Sequence, residues 1–168
     1  MMFKVGILTV SDKGWRGERD DRSGPAIRDS LSAMDSQVVK YEVIPDEVDV
    51  IAARLKDWSD GGSVDVILTT GGTGLTRRDV TPEATLAVVD KIAPGFAEAM
   101  RAESYKITPA AMLSRAVAGV RGECLIINLP GSPRAVRECL EVLLPAIPHA
   151  VEMLKGEVTE HVDSGGGD

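Results

Sequence analysis

The residues with the clearest chemical potential lie in a glycine-rich segment near the middle of the chain. The apolar, β-branched run at 64–68 is typical of a buried strand, and it leads through Thr69 into the glycines. Glycine allows backbone angles closed to other residues and lets a ligand approach bare N–H groups. This segment is therefore a candidate phosphate-binding loop at the carboxyl end of a strand, and its candidate residues are Thr70, Gly71, Gly72, Thr73 and Gly74.

The residues after the glycines favour the same interpretation. Arg77, Arg78 and Asp79 precede a predicted helix start, with Thr81 as the N-cap and Pro82 as the first helical residue. A glycine cluster alone is equally typical of a tight turn. No Lys-Ser or Lys-Thr pair follows, so the segment is not a Walker A loop, and its spacing is not that of a dinucleotide fingerprint. Two arginines, a carboxylate and a helix start together favour phosphate binding.

Other predicted strand ends carry further candidate residues. Ser11 and Asp12 follow a strand at 3–10, and Asp46 follows a strand at 38–44, where its spacing predicts the N-cap of the next helix. A second glycine turn follows the strand at 124–129 and supplies Pro130, Gly131, Ser132 and Pro133. By itself this turn indicates only a stiff connection and not a binding site. Because parallel strands end at one edge of a sheet, the two glycine turns can face each other.

Composition limits the class of protein. The chain has 168 residues, 43% hydrophobic and 27% charged, as expected for one globular domain of ordinary size. The net charge of −7 and the pI near 4.9 argue against a nucleic-acid-binding surface. The apolar runs are too short for a membrane span or a signal peptide, so a cytoplasmic location is expected. Cys124 and Cys139 lack metal or redox spacing and are predicted to be buried thiols.

Hydrophobic periodicity predicts alternating strands and helices in an α/β fold. The sheet is predicted to be mostly parallel, with one antiparallel edge strand made by a hairpin at 117–129. Helices are predicted to begin at a Ser23 cap, after residue 47 and after residue 133, and to span 82–92, 96–105, 109–115 and 147–154.

Two polar segments fall outside these predicted elements. The charged residues 13–22 are predicted to form a mobile, solvated loop, although loops of this length are often functional lids. Residues 1–156 are expected to form one domain, and the polar residues 157–168 a disordered tail.

Four motifs together resemble those of the molybdenum cofactor biosynthesis family of MogA type. They are Thr9-Val10-Ser11-Asp12 and the segments 69–74, 78–84 and 128–133, in the order that the family has. The resemblance extends from about residue 3 to residue 154. MogA-type proteins are molybdopterin adenylyltransferases, and they are similar to the G domain of plant and animal molybdenum-insertion proteins. The sister MoaB proteins share much of the pattern.

The resemblance implies a fold, a reaction and partners. The implied fold is a three-layer α-β-α sandwich, and the implied assembly is a homotrimer. The implied reaction transfers AMP from ATP to molybdopterin with release of pyrophosphate and requires Mg²⁺. A molybdate-insertion enzyme is a further implied contact, whereas neither nucleic acid nor a membrane is.

The resemblance also assigns roles to single residues. The family's two important acids match Asp46 and Asp79, and this match replaces the cap interpretation of Asp46. The terminal phosphate of molybdopterin has a second pKa of about 6, so it needs no general base. We therefore expect Asp46 and Asp79 to be catalytic by positioning magnesium and the triphosphate. The expected substrate-binding residues are Ser11, Asp12, Thr70, Gly71, Gly72, Thr73, Gly74, Arg78, Ser104, Pro130, Gly131, Ser132 and Pro133.

Alternatives to the adenylyltransferase remain at this point. One is a MoaB-like pterin-binding protein of the same pathway with little or no adenylyltransferase activity. Another is a molybdate-insertion enzyme of MoeA type, for which the chain is too short. A third is a non-catalytic scaffold, for which the presence of both Asp46 and Asp79 is awkward.

Overall fold

Six strands form one sheet with helices on both faces in the computed structural model, which describes residues 1–157. The strands are β1 Phe3–Val10, β2 Ser36–Ile44, β3 Val66–Thr70, β4 Lys91–Ile92, β5 Ala118–Arg121 and β6 Cys124–Leu129. The helices are α1 Asp12–Trp15, α2 Ser23–Leu31, α3 Val48–Asp60, α4 Thr81–Val88, α5 Pro94–Tyr105, α6 Pro133–Leu143 and α7 Ile147–Leu154, with a 3₁₀ helix at Pro109–Leu113. The predicted disordered tail lies outside the described residues, apart from Glu157.

The strand order is β2-β1-β3-β6-β5-β4, and the first four strands are parallel. The predicted α/β class with a mostly parallel sheet is confirmed. The antiparallel edge is confirmed as well, and it contains one strand more than predicted, because β4 pairs with the outer side of the reversed strand β5. The helix predicted for 82–92 therefore ends early, at Val88. Main-chain bonds from Asp90 N–H to Val120 and from Ala93 N–H to Ala118 satisfy the otherwise open side of β5.

The three layers follow from the alternation of side chains along the strands. On β1, Val5 and Ile7 face a core formed with α2, α5, α6 and α7, whereas Leu8 and Val10 face a core formed with α3 and α4. Both faces of the sheet are thus covered, as is usual for parallel strands. The three-layer sandwich expected from the family resemblance is confirmed.

Four strand ends lie in register at one edge of the sheet. Val10 at the end of β1 is paired with Ile44 of β2, while Thr70 of β3 is paired with Thr9 and with Leu129 of β6. The loops that follow these ends are therefore brought side by side. This edge is where ligands bind in open parallel sheets.

Two further sequence expectations concern the described part of the chain. Within residues 1–157, no helix is both long and apolar enough to cross a membrane. Cys124 and Cys139 are buried free thiols, as predicted. Burial raises the pKa of Cys124 to about 11, so this thiol is inert.

Candidate active site

A cleft of about 770 Å³ opens at the sheet edge where these strands end. Its size is in the range of small-molecule sites, about 300–1,000 Å³. The structure brings together nine of the residues predicted from the sequence: Ser11, Asp46, Thr70, Gly71, Gly72, Asp79, Gly131, Ser132 and Pro133. The other predicted residues lie beside the cleft or away from it: Asp12, Thr73, Gly74, Arg78, Ser104 and Pro130.

Asp12 and Asp46 are joined by two reciprocal hydrogen bonds. The main-chain N–H of Asp12 donates to Asp46 Oδ2 at 2.8 Å, and the main-chain N–H of Asp46 donates to Asp12 Oδ1 at 3.0 Å. The cap predicted for Asp46 from local spacing is therefore wrong. The N-cap of α3 is Glu47, without a side-chain cap bond, because the carboxylate of Asp46 turns instead to the start of α1.

Arg78 closes this network on the outer side. Its guanidinium donates to both oxygens of Asp12 at 3.0 Å and to Glu47 at 2.8 Å. Two carboxylates therefore compensate the charge of Arg78. The sequence suggested Arg78 as an anion-binding residue, but the structure places it in an ion-pair network at the rim.

The two joined acids have opposite electrostatic environments. The hydrogen bond from Arg78 holds the pKa of Asp12 below its ordinary value. Partial burial raises the pKa of Asp46, and the negative charges of Asp12 and Asp79 raise it further. A cationic ligand in the cleft therefore stabilises the ionised form of Asp46.

Asp79 is aimed by a short turn of its own. Its Oδ2 accepts hydrogen bonds from the N–H of Thr76 at 3.0 Å and from the Thr76 hydroxyl at 2.8 Å. Its main-chain N–H donates back to the carbonyl of Thr76 at 3.1 Å. A side chain on Gly74 would press on this carboxylate, with a Cβ only 2.8 Å from Oδ2.

Arg115 braces the same turn from behind. Its Nε donates to the carbonyl of Gly74 at 2.8 Å, and its Nη2 donates to the carbonyl of Asp79 at 2.7 Å. The Nη1 of the guanidinium forms an ion pair with Glu83. The main-chain N–H of Arg115 donates to the carbonyl of Thr73 at 2.8 Å. Sequence reasoning missed Arg115 because its partners lie more than thirty residues earlier, 36 in the case of Asp79.

Gly71 and Gly72 are required by their conformation as well as by the space around them. Their φ angles are +97° and +68°, a region that disfavours other residues. A Cβ on Gly71 would collide with the carbonyl of Val10, and one on Gly72 with the hydroxyl of Thr81. The Gly71 N–H already donates to the Leu129 carbonyl at 3.3 Å. Any ligand must therefore use amides further along the loop.

Thr81 differs from its predicted role. The N-cap of α4 is Val80, and the fully buried hydroxyl of Thr81 has no hydrogen-bond partner within the described residues. The main-chain N–H of Thr81 donates to the Gly72 carbonyl at 3.1 Å, so the helix start is fixed to the loop through the backbone instead.

The two glycine turns meet, as predicted. Gly131 lies against Gly71, with its virtual Cβ 3.5 Å from the Gly71 Cα. The Thr70 hydroxyl donates to the Pro130 carbonyl at 2.6 Å. Ser132 caps α6, because its hydroxyl accepts from the Ala135 N–H at 3.1 Å. This second turn is therefore a fixed wall of the cleft.

The segment from Arg19 to Ser23 is a wall that the sequence prediction missed. Residues 13–22 were predicted to be solvated loop, but residues 12–15 form α1 and residues 19–23 line the cleft. Ser23 is not an N-cap: its hydroxyl donates to the Gly131 carbonyl at 2.5 Å, and Asp21 accepts from the Ser23 and Gly24 amides. The sequence signal was the Asp-x-Ser-Gly spacing at 21–24, which favours an Asx turn.

The cleft also contains residues that the sequence analysis did not predict. They are Thr9, Val10, Gly14, Arg19, Asp20, Asp21, Arg22 and Ser23.

Comparison with known families identifies this arrangement. Residues 6–149 match the family described as "Probable molybdopterin binding domain". The chain belongs to this molybdopterin-binding family. The match spans all four strand ends and every wall of the cleft.

Individual members of the family are similar over nearly the whole chain. A molybdopterin adenylyltransferase of Helicobacter pylori J99 is 46% identical over 154 residues, which cover 90% of this chain and 88% of the relative. The molybdopterin adenylyltransferase of Escherichia coli K12 is 38% identical over 94% of this chain and 88% of its own length. The crystal structure of a molybdopterin biosynthesis enzyme MoaB from Thermus thermophilus superimposes with a TM-score of 0.88 at 54% identity, covering 92% of this chain and 98% of that one.

Two residues expected to bind substrate, Ser104 and Pro130, line a second pocket instead of the main cleft. Ser104 is 3.7 Å from Cys139 Sγ and lines a second, mostly apolar pocket of about 220 Å³ between α5, the 3₁₀ helix and α6. Pro130 lines this second pocket, while Gly131 lines the first. The Pro130–Pro133 turn thus separates the two pockets.

The carboxylates of this cleft fit a magnesium ion that is shared with phosphate groups. Within residues 1–157, no group of three or more His, Cys, Asp or Glu side chains could hold a metal by itself. Magnesium is usually held by one or two carboxylates together with substrate phosphates. Asp46 and Asp79 form such a pair, because both line the cleft and the charge of Asp79 raises the pKa of Asp46.

Proposed function

We propose that this protein transfers the adenylyl group of ATP to molybdopterin, with release of pyrophosphate, in molybdenum cofactor biosynthesis. The observation that carries the proposal is the placement of Asp46 and Asp79 in one cleft with the Gly71-Gly72 turn, where a Cβ on Gly72 would lie 3.2 Å from Asp46 Oδ1. Membership of the molybdopterin-binding family and similarity to adenylyltransferases over most of both chains support the choice of substrates.

The proposed reaction is a phosphoryl transfer between two anions. An oxygen of the molybdopterin phosphate attacks the α-phosphorus of ATP and forms a new P–O–P bond. The bond from the α-phosphorus to the bridging oxygen of the β-phosphate breaks, and both electrons leave with pyrophosphate. Because the attacking phosphate is already largely ionised, the protein's task is orientation and charge compensation rather than proton removal.

The cleft residues divide this task. Asp46 and Asp79 would hold Mg²⁺ together with the triphosphate, where the ion would supply positive charge against the phosphates. The amides of the glycine loop beyond Gly71 bind phosphate oxygens, because Gly71 N–H is already bonded. The turn at Pro130–Pro133 forms the wall against which the substrates lie.

Mass spectrometry of molybdopterin incubated with the protein, ATP and magnesium tests the proposal. We expect a product heavier by one adenylate, an equal amount of pyrophosphate, and neither without magnesium. Molybdate should be neither required nor consumed. Cleavage of ATP to ADP and phosphate contradicts the proposal. Tight molybdopterin binding without adenylate transfer favours the MoaB-like binding protein, an alternative motivated by the 54% identity to a MoaB structure.

We propose in addition that the protein is a cytoplasmic homotrimer. The motivating surface consists of large apolar side chains that are more than half exposed near the end of α5 and in the 3₁₀ helix: Tyr105, Ile107, Met112 and Leu113. Light scattering after size exclusion tests the oligomeric state. A monomer, or a trimer unaffected by Met112→Glu, contradicts this part of the proposal.

A further inference from the structure

The cleft is short of positive charge for a site that binds phosphates. Four carboxylates line it, those of Asp20, Asp21, Asp46 and Asp79. Arg78, beside the cleft, is held by Asp12 and Glu47. Among the described residues that line the cleft, the positively charged side chains are those of Arg19 and Arg22.

Asp21 fixes the segment that carries these arginines. One of its oxygens accepts from the main-chain N–H of Ser23 at 3.0 Å and of Gly24 at 3.1 Å. The other accepts from the Thr9 hydroxyl at 2.8 Å and from the Tyr41 hydroxyl. Four neutral donors therefore stabilise the Asp21 carboxylate and tie the segment to β1 and β2.

The other end of the segment is tied to the opposite wall of the cleft. The Ser23 hydroxyl donates to the Gly131 carbonyl at 2.5 Å, and Ser23 is buried. Arg22 lies between these two anchors, and its carbonyl accepts the first bond of α2, from Ala26 N–H at 3.2 Å. Its backbone position is thus set from both sides.

The guanidinium groups of Arg19 and Arg22 form no ion pair within the described residues. Two neighbouring arginines form ion pairs, Arg16 with Glu18 and Arg78 with Asp12, whereas Arg19 and Arg22 form none within residues 1–157. The donors around Asp21 stabilise its carboxylate but leave its charge in place, so the segment carries two arginines and two aspartates. Its unpaired guanidinium groups are the donors that it offers to an anion. Arginine binds phosphate bidentately and strongly under such conditions.

We propose that Arg19 and Arg22 bind the phosphate groups of the substrate in this cleft. The ligand chemistry is a phosphate ester or polyphosphate, carried by either ATP or molybdopterin. The identity of these two molecules rests on the proposed function, but the anion site does not. Arg19 and Arg22 thus supply the electrostatic attraction for phosphate in the cleft. Arg78 does not supply it, because it is paired with Asp12 and Glu47.

Calorimetric titration with inorganic tripolyphosphate, without magnesium, tests the site independently of turnover. The variants are Arg19→Gln, Arg22→Gln and their combination. The control is Arg16→Gln, because Arg16 lies just before this segment but pairs with Glu18 and does not line the cleft. We expect the double variant to bind about tenfold more weakly or worse, and Arg22→Lys to bind more tightly than Arg22→Gln, because it keeps the charge, but more weakly than the unmodified protein, because it loses the bidentate geometry. Equal binding by the double variant and the control, or no binding by the unmodified protein, overturns the proposal.

Separate titrations with ATP and with molybdopterin identify the source of the phosphate. A loss confined to ATP assigns the arginines to the nucleotide, and a loss confined to molybdopterin assigns them to the pterin phosphate; either result supports the site. Equal thermal unfolding of the variants and the control excludes misfolding as the cause. If the unmodified protein makes no adenylylated product while tripolyphosphate binding still depends on these arginines, the proposed function fails and the phosphate site stands.

Discussion

Asp12 and Asp46 each donate a main-chain N–H to the carboxylate of the other, at 2.8 and 3.0 Å. This reciprocal pair joins the loop after β1 to the loop after β2, which are 34 residues apart in the chain. One carboxylate faces the Arg78 guanidinium, and the other faces the cleft. Backbone bonding therefore fixes the position of Asp46 without compensating its charge by a cation.

We expect Asp46→Asn and Asp79→Asn to reduce turnover far more than molybdopterin affinity. Each variant keeps an oxygen that can accept the bonds seen here but loses the charge that faces the triphosphate. Loss of one group that stabilises developing charge typically costs about a hundredfold or more in rate. Steady-state kinetics with a separate molybdopterin titration measures both effects. Weaker pterin binding with normal turnover at saturation contradicts the assigned roles.

Asp46→Asn should also change the pH dependence of stability without ligand. Partial burial raises the pKa of Asp46, so the native state binds more protons than the unfolded state above the ordinary range for Asp. Ionised Asp46 then destabilises the fold, and stability falls as the pH rises through the raised pKa. The variant lacks this loss, so it should be the more stable protein near neutral pH, with the difference vanishing in acid.

Urea unfolding of both proteins over a series of pH values from about 4 to 7 measures that difference. Asp12 contributes in the opposite direction, because Arg78 lowers its pKa, and it is present in both proteins. A difference in stability that does not vary with pH contradicts the assigned titration.

Gly72→Ala should abolish nucleotide binding, and Gly62→Ala provides a matched control. The two glycines have nearly the same φ, +68° and +70°, so both substitutions cost about 1–2 kcal/mol of backbone strain. Only the Cβ at Gly72 meets other atoms, namely the Thr81 hydroxyl and, at 3.2 Å, Asp46 Oδ1. Calorimetry with ATP should show loss of binding in the first variant alone. Unchanged affinity in folded Gly72→Ala means that the loop is only a turn.

Arg115→Lys should lower kcat while leaving the KM for molybdopterin nearly unchanged. A lysine cannot bond to the Gly74 and Asp79 carbonyls in the planar geometry of a guanidinium, so the turn that aims Asp79 loosens. A displacement of about 1 Å at a catalytic group can cost about a hundredfold in rate.

Arg121→Lys is the matched control for that variant. Arg121 also bonds to a carboxylate and to a main-chain carbonyl, those of Asp60 and Val88, but it lies outside the cleft. Both variants should lose similar stability on thermal unfolding, and only Arg115→Lys should lose turnover. If the two variants have a similar kcat, Arg115 contributes only to stability and does not position Asp79 for the reaction.

Features set by local sequence were predictable. The glycine loop, the second turn and the strand ends follow from short runs whose meaning is independent of the rest of the chain, and the structure brings Gly71 and Gly131 together as expected. The prediction failed where a side chain forms its hydrogen bond with a residue distant in the chain instead of with a neighbouring one. Asp46 has the spacing of a cap, but the Asp12 amide offers a bond that joins two loops.

The prediction of a solvated loop at residues 13–22 failed for a related reason. A run rich in Arg, Asp and Glu is usually solvated, and nothing in its periodicity identifies the one carboxylate that turns inward. Asp21 does so because Thr9 and Tyr41, on two different strands, provide hydroxyl donors. The edge strand β4 escaped prediction because its two residues, Lys91–Ile92, are specified only by the open side of β5.

The bonds that close the cleft join parts of the chain that are synthesised far apart in time. Ser23 and Gly131 are 108 residues apart, and Thr70 and Pro130 are 60 apart. Contacts of such long range form slowly, because the intervening chain must be ordered first. A nascent chain on the ribosome therefore cannot complete the wall between its two glycine turns until the second turn has emerged. Substrate cannot find a finished site on a partly translated protein.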